Sequence, residues 1–303
     1  MDKSLKQKIL NISGLEEKEL LAEGMESLVF DNGNNTVTKV YLSNDLEYFR
    51  RLQNFYNDLV FPDNKIKLPQ IINVEQKEGL IFVTEVKLIG KQLKFNELNN
   101  KEIEEVLNEL LNGLTYLSEI KTDFLKVELI LDNRDRALLK TPSNDFKKTL
   151  ESSLEKAYKM NKNYLNDDIE IDTVYEKLTS NIESLEITKT SLIHGDYFIE
   201  NVLFSSELKL TSILDFGVMT AFGDHIMDVA LSYAFLDMFN ELPKLKLKER
   251  YMEILKKNYS NSELSKMNFY IAFYSFISAT YYMKDKSKKD GHYYWCINNI
   301  NTE

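Results

Sequence analysis

The sequence predicts an α+β fold in which a small antiparallel sheet comes first and a larger helical part follows. Residues 19–86 contain short apolar segments separated by turn sequences such as Asn32-Gly33. From Asn99 onward the apolar positions recur at helical spacing. This change from strand-like to helix-like periodicity indicates that strands give way to helices. We therefore predict an N-terminal lobe over residues 1–86 and a C-terminal lobe over residues 87–303.

The composition of the chain restricts the classes of partner. Its 303 residues include 43% apolar residues, which is typical of a globular protein, and the net charge is −10. An acidic chain lacks the basic face that binds nucleic acids, and it is repelled by anionic membrane surfaces. We therefore expect neither partner, and the negative charge favours a small cationic substrate.

The sequence also carries predictions about compartment. Cys296 is the only cysteine, which excludes an intrachain disulfide and a cysteine zinc cluster. The first eight residues lack the apolar core of a signal peptide, and the most apolar stretch, residues 269–283, is short for a membrane span. We expect a cytoplasmic protein.

The elements follow in order along the chain. The patterns predict a short helix over residues 3–11, strands at 20–22, 28–30 and 37–42, and a hairpin of strands 70–75 and 80–86. Ser43 or Asn44 is expected to cap a helix that runs to about Leu59. Helices are predicted from Asn99, over 143–160 and over 172–186, and the aromatic residues between Phe269 and Trp295 have the spacing of a buried helical face.

The polar residues of the segment 191–217 have a distinctive spacing. His194-Gly195-Asp196 follows a short apolar run, Asn201 comes five positions after Asp196, and Asp215-Phe216-Gly217 begins fourteen positions after Asn201. Two short strands, 202–205 and 210–214, are predicted between them. If these strands pair, Asp215 returns to the side of the loop that holds Asp196 and Asn201.

These residue types suit phosphoryl transfer. Such a reaction needs a carboxylate that accepts or orients the proton of the attacking hydroxyl, the role offered by Asp196. It also needs hard oxygen ligands for Mg²⁺, which Asn201 and Asp215 supply. The alternative is an exposed polar turn with an ordinary aspartate at a strand end, and the combined spacing favours the catalytic interpretation.

On these residues the sequence resembles the aminoglycoside phosphotransferase and choline kinase family of small-molecule kinases. The resemblance rests on His194-Gly195-Asp196, Asn201, Asp215-Phe216-Gly217, Gly223-Asp224 and Asp228. It implies a bilobal, protein-kinase-like fold with a small antiparallel-sheet N-lobe and a larger helical C-lobe. It also implies ATP, with GTP not excluded, and Mg²⁺ as cofactors, and an Asp228 that braces the catalytic loop from below.

The resemblance assigns nucleotide-binding roles in the N-terminal lobe. The segment containing Gly24 and Ser27 would be the loop over the phosphates, although an ordinary hairpin turn fits it equally well. Lys39, on the third strand, would hold the α- and β-phosphates. Its alternative is a lysine on a solvent-facing strand surface.

Two further roles concern the partner of Lys39 and the base of the nucleotide. Glu47 is the candidate to pair with Lys39, or else it is a first-turn acid that the helix dipole stabilises. Thr84 to Val86 fall where the family has its hinge, at which backbone groups hold the adenine.

The preferred function is phosphorylation of a hydroxyl on a small molecule, with an aminoglycoside-type antibiotic as the leading substrate. Asp196, Glu200 and Asp237 are the acids expected to meet its amines. The alternatives are a metabolic kinase for choline, ethanolamine or a sugar, in which the C-terminal aromatic residues would form a cage, and a nucleotide-binding module without catalysis. A protein kinase is disfavoured, because no Ala-Pro-Glu follows Asp215 and no arginine precedes Asp196.

Overall fold

The N-terminal part of the protein is an antiparallel sheet with the strand order β1-β2-β3-β5-β4. The computed structural model describes residues 3–14, 19–23, 27–42, 45–63, 65–122, 139, 145–217, 219–238, 243–281, 283 and 289–301. The strands are β1 (Leu20–Glu23), β2 (Ser27–Asp31), β3 (Thr36–Tyr41), β4 (Ile71–Lys77) and β5 (Leu80–Val86). Each lies within a few residues of its predicted position, and the predicted α+β fold is confirmed.

Alternate residues of the interior strand β5 lie on the two opposite faces of this sheet. Leu80 and Phe82 join a small outer cluster with Ile9 of helix α1 (Lys3–Ser13). Ile81 and Val83 belong to the main core instead. Since Lys39 pairs with Val83 in the register of β3 and β5, its side chain lies on the inner face, toward the rest of the molecule.

Helix α2 (Leu46–Asp58) covers part of the inner face with Phe49, Leu52, Phe55 and Tyr56. Its N-terminal cap is Asp45, whose Oδ1 accepts a hydrogen bond from the Tyr48 N–H at 2.9 Å. The sequence predicted this cap one or two positions earlier, at Ser43 or Asn44, and both lie outside the described residues. Aspartate is an equally good cap, so composition alone did not select among neighbouring positions.

The C-terminal part is mostly helical. Its α-helices are α3 (Asn100–Glu119), α4 (Phe146–Leu165), α5 (Ile171–Ser184), α6 (Ile226–Ala234), α7 (Leu247–Asn258), α8 (Asn261–Ser278) and α9 (Gly291–Asn301). A capping box between Asn99 and Glu102 starts α3. The aromatic residues Phe269, Phe273 and Tyr274 of α8 are buried, as predicted, whereas Tyr294 of α9 is 52% exposed.

Two short antiparallel ladders sit among these helices. Strand β6 (Thr190–Ile193) pairs with β9 (Ala221–Asp224), and β7 (Val202–Phe204) pairs with β8 (Leu210–Ile213). The predicted pairing of the strands after Asn201 is therefore confirmed. Isolated bridges from Lys67 to Ser212 and from Lys91 to Phe204 tie the second ladder to the chain on either side of β4 and β5.

The loop between β6 and β7 is anchored on α3 by Tyr197. This side chain is completely buried, and its hydroxyl donates to the carbonyl oxygen of Leu110 at 2.9 Å. It fits because α3 carries a glycine opposite, where an added Cβ at Gly113 would lie 2.0 Å from the Tyr197 hydroxyl. Gly113, a residue type that weakens helices, thus leaves the space that the Tyr197 side chain occupies.

No helix among the described residues is both long and apolar enough to cross a membrane. The division into lobes at residue 86, where β5 ends, stays a prediction.

We predict that Gly113→Ala lowers the free energy of unfolding by about 1–3 kcal/mol, because the new methyl group collides with the hydroxyl of the completely buried Tyr197. Helix propensity acts in the opposite direction and would stabilise the variant by about 1 kcal/mol. The measurement is urea denaturation. Asn112→Ala, at the neighbouring exposed position, is the control and should change the stability little; equal stability of the two variants would contradict the anchor.

Candidate active site

The backbone of the loop that follows β6 is held by one buried carboxylate. Asp228, in the first turn of α6, accepts the His194 N–H at Oδ2 and the Gly195 N–H at Oδ1, both at 2.7 Å. Burial raises the pKa of Asp228 to about 7, although these two hydrogen bonds favour the ionised form. The bracing of the catalytic loop that the resemblance implied is therefore present in the structure.

The turn of this loop requires glycine at position 195. Gly195 has a φ of 79°, in the left-handed region. A Cβ there would also lie 2.4 Å from the carbonyl oxygen of Met219. Because glycine meets both requirements, the chain can turn tightly at this position. Asp196 follows directly after the two residues whose amides donate to Asp228.

The imidazole of His194 has a structural role beside this turn. Its Nδ1 accepts the Asp196 N–H at 3.2 Å, so the proton lies on Nε2, which donates to the Leu214 carbonyl at 2.6 Å. Burial lowers the pKa of His194 to about 4. The ring is therefore neutral, and it links the loop to the residue before Asp215.

Asp196 and Asn201 are in direct contact. The Asn201 Nδ2 donates to the Asp196 carbonyl at 2.8 Å and to its Oδ2 at 3.0 Å. Asp196 is exposed to solvent, but protein surrounds it on most sides, and this desolvation raises the pKa of Asp196 to about 6. The hydrogen bond from Asn201 opposes that effect, while the charges of Asp215 and Glu200 add to it. A carboxylate of this kind is suited to accept a proton from a hydroxyl near neutral pH.

Asp215 is brought to the same place by the β7–β8 ladder. The Leu214 N–H donates to the Asn201 carbonyl at 2.8 Å, so Asp215 follows immediately after a residue that is bonded to Asn201. Its φ is 49°, a conformation that aspartate tolerates better than most residues and that turns the chain at this point. The return of Asp215 to the loop, predicted from the strand pairing, is confirmed.

The donor groups of this cluster fit a magnesium ion. The side-chain nitrogen of Asn201 donates to Asp196. The side-chain oxygen of Asn201 and the carboxylate of Asp215 therefore remain as hard oxygen ligands for a metal ion. No group of three or more His, Cys, Asp or Glu side chains in the described parts of the chain could hold a metal by itself. Mg²⁺ is compatible with so few protein ligands, because it binds through one or two carboxylates together with substrate phosphates and water.

Lys39 joins the sheet to this cluster. Its Nζ lies 2.5 Å from Asp215 Oδ1 and 3.3 Å from Glu85 Oε2, and its side chain is only 12% exposed. Burial lowers the pKa of Lys39, but the charges of Asp215 and Glu85 outweigh that effect and hold it well above its ordinary value. A charged ammonium is thus fixed beside Asp215, one of the two candidate metal ligands, where it would meet the phosphates of a nucleotide.

A sequence model of the phosphotransferase enzyme family, APH, matches residues 39–251, which is more than half of the chain. The chain belongs to this family. The resemblance inferred from the motifs is confirmed, and the protein is a phosphotransferase that acts on hydroxyl groups. The sequence has no match among curated proteins.

Solved structures of aminoglycoside phosphotransferases share the fold. A thermostable mutant of APH(4)-Ia, in a ternary complex with AMP-PNP and hygromycin B, has 16% identity, a TM-score of 0.68 and coverage of 99% of this chain and 97% of that chain. The gentamicin–APH(2″)-IIa complex has 16% identity, a TM-score of 0.62 and coverage of 100% and 97%. ADP-bound APH(2″)-Ib has 18% identity, a TM-score of 0.59 and coverage of 100% and 98%.

The structure corrects the predicted partner of Lys39 in this phosphotransferase. Glu47 lies in the first turn of α2, where it is exposed and accepts from Arg50 at 2.9 Å. The alternative, a first-turn acid that the helix dipole stabilises, describes it better. Glu85 contacts Lys39 instead, because it lies on the same inner face of the sheet.

The other predicted nucleotide-binding residues are only partly placed. Ser27 begins β2 opposite Tyr41, on the same face as Lys39, whereas Gly24 lies outside the described residues. The Thr84 side chain is on the face opposite Lys39, since Thr84 pairs with Thr38. The Val86 N–H already donates to the Gln70 carbonyl at 3.0 Å.

The two remaining acids that were predicted to bind the substrate differ in their surroundings. Glu200 is exposed in a single turn of 3₁₀ helix (Ile199–Asn201), near enough to Asp196 to raise its pKa. Both carboxylate oxygens of Asp237 are engaged, one by Lys248 at 2.7 Å and one by the indole N–H of Trp295 at 2.9 Å. The charge of Asp237 is thus largely compensated, which sequence position alone did not reveal.

Sequence reasoning missed Glu85. The available signal was a single carboxylate in the otherwise apolar run Leu80-Ile-Phe-Val-Thr-Glu-Val, at a position that shares the face of Lys39 if β3 and β5 pair. The sequence alone does not give the register of β3 and β5, which is needed to predict that Glu85 and Lys39 are neighbours.

We predict that Asp196→Asn lowers the turnover of this phosphotransferase by about 100-fold or more, because the amide cannot accept the hydroxyl proton. Nucleotide binding should be nearly unchanged. The measurements are ADP release with an accepted substrate and calorimetric titration with nucleotide. A well-folded variant with undiminished turnover would rule the assignment out.

Proposed function

We propose that this phosphotransferase transfers the γ-phosphoryl group of ATP, in the presence of Mg²⁺, to a hydroxyl of an aminoglycoside-type antibiotic. Such a reaction in the cytoplasm would confer antibiotic resistance. The observation that supports the proposal is the cluster of Asp196, Asn201, Asp215 and Lys39, in which two carboxylates, an amide and an ammonium lie close together.

Each residue of the cluster has a role in this reaction. Lys39 would neutralise charge on the nucleotide phosphates, with the backbone around Gly24 and Ser27 facing them and the hinge near Thr84 and Val86 holding the base. Asn201 and Asp215 would hold Mg²⁺, which when bound neutralises charge on the bridging phosphates. Asp196 would orient the acceptor hydroxyl and take its proton.

The charge around the acceptor position supports a cationic substrate. Asp196 and Glu200 are both exposed in the catalytic loop, and the chain carries a net charge of −10. Two of the relatives of the same fold were solved with hygromycin B or gentamicin. Negative groups in a cleft attract polyamines and bind their ammonium groups by charge-assisted hydrogen bonds. Asp237 would contribute less than the other two acids, since Lys248 already compensates its charge.

A second candidate is a metabolic kinase for choline or a related amine, and one observation favours it. Phe198, two residues after Asp196, contacts Phe235, which in turn contacts Tyr274 and Trp295. A half-buried tryptophan in such an aromatic cluster is the kind of group that binds quaternary ammonium ions. Among the described residues this cluster is packed largely against itself, so we prefer the polyamine substrate.

We predict that Asp215→Ala abolishes the Mg²⁺ dependence of nucleotide binding while the fold survives, because the variant loses the charged ligand. Titration calorimetry with ATP, with and without Mg²⁺, measures the effect. Asp237→Ala is the control, since its carboxylate is bound to Lys248 and Trp295, and it should keep the Mg²⁺ dependence. The same dependence in Asp215→Ala as in the wild type would remove the metal assignment.

We predict that ADP release occurs with at least one aminoglycoside in a panel that also contains choline, ethanolamine and simple sugars. The reason is that the exposed acids of the loop match several amines rather than one quaternary ammonium. Resistance on expression in a susceptible bacterium is the second measurement. Activity confined to choline or to a neutral sugar would overturn the substrate and leave the phosphotransferase in place. ATP binding without turnover of any hydroxyl compound would favour the non-catalytic module.

A further inference from the structure

Glu85 is a carboxylate in a place where the fold otherwise uses apolar residues. It follows Ile81 and Val83 on the inner face of β5, and these are 0% and 1% exposed, while Glu85 is 6% exposed. Burying a carboxylate costs several kcal/mol unless a charged partner compensates it. A buried carboxylate on an interior strand therefore indicates a function for its charge.

The strand register aims Glu85 at Lys39. Lys39 lies opposite Val83, and Glu85 is two residues further along the same face, which makes the two side chains diagonal neighbours. The Lys39 Nζ lies 3.3 Å from Glu85 Oε2. Since β5 is paired on one side with β3 and on the other with β4, the backbone that carries Glu85 is held on both edges.

Helix α2 offers no acid in this place. Its face toward the cluster is aromatic, because Phe55 and Tyr56 both contact Phe216 at 5.8 Å between ring centroids. Its first-turn acid, Glu47, is at the surface with Arg50. The carboxylate that holds Lys39 from the side of the sheet thus comes from the sheet itself.

The two acids around Lys39 have different surroundings. Asp215 is 55% exposed and sits beside Asn201 as a proposed metal ligand, whereas Glu85 is buried and faces the lysine. If Asp215 binds a metal ion, the Lys39 ammonium still has Glu85 as a charged partner. We propose that Glu85 is a positioning residue that holds the Lys39 ammonium in the nucleotide site, independently of helix α2. This inference rests on the nucleotide binding of the proposed function.

The test is a double-mutant cycle on ATP affinity, measured by titration calorimetry with Mg²⁺ and without any acceptor. Glu85→Gln keeps the volume and removes the charge, and it should weaken ATP binding about tenfold, since it disturbs a charge-assisted contact. In a Lys39→Met background the same change should have no further effect, because Glu85 acts through the lysine. Glu75→Gln, on the exposed side of neighbouring β4, is the matched control and should bind ATP as the wild type does.

A second variant, with a shorter acidic side chain, distinguishes an effect on the position of Lys39 from an effect on folding. Glu85→Asp keeps the charge but retracts it by one methylene, and it should weaken ATP binding less than Glu85→Gln does. The inference would be overturned if Glu85→Gln lowered the melting temperature but left the ATP affinity unchanged. It would also be overturned if the effects of Glu85→Gln and Lys39→Met on ATP affinity were additive. A loss of affinity in Glu47→Gln but not in Glu85→Gln would return the role to helix α2. Absence of ATP binding by the wild type would overturn the proposed function as well.

Discussion

The contact on which the site depends is the one between the Asp228 carboxylate and two consecutive backbone amides. The His194 and Gly195 N–H groups point into the core, where unpaired donors would cost about 1–3 kcal/mol each. One side chain satisfies both, and this fixes a turn that only glycine can make. The position of Asp196 follows from that turn, and Asp228 of helix α6 thereby holds loop residues that lie 33 and 34 positions earlier in the chain.

A second constraint links the sheet to the helical part through charge. Lys39 reaches Asp215 across a separation of 176 residues, and Glu85 holds it from the sheet side. Because this cluster contains two acids and one base, it keeps a net negative charge that a metal ion or another cation would compensate. This charge comes from three side chains that lie far apart along the chain, namely Lys39, Glu85 and Asp215.

The comparison with solved structures shows how little sequence identity accompanies a shared fold. Identities of 16–18% accompany nearly complete coverage and TM-scores of 0.59–0.68. Fold alone does not determine the substrate, since function depends on the residues of the site. In the proposed function the exposed acids Asp196 and Glu200 would bind the amines of the substrate, whereas the aromatic cluster next to Phe198 is a feature that a quaternary ammonium would also use.

The sequence by itself determined what depends on local order along the chain. The hairpin at Glu78-Gly79, where both residues have positive φ, the helix beginning at Asn99 and the spacing of Asp196, Asn201 and Asp215 all follow from short-range rules. Only the tertiary structure decided which charges meet. Glu85 rather than Glu47 contacts Lys39, and Lys248 compensates Asp237, because such pairs depend on strand register and helix packing between distant segments. The sequence shows that a residue is acidic, but it does not show which group that residue contacts in the folded protein. The contact determines what the charge does.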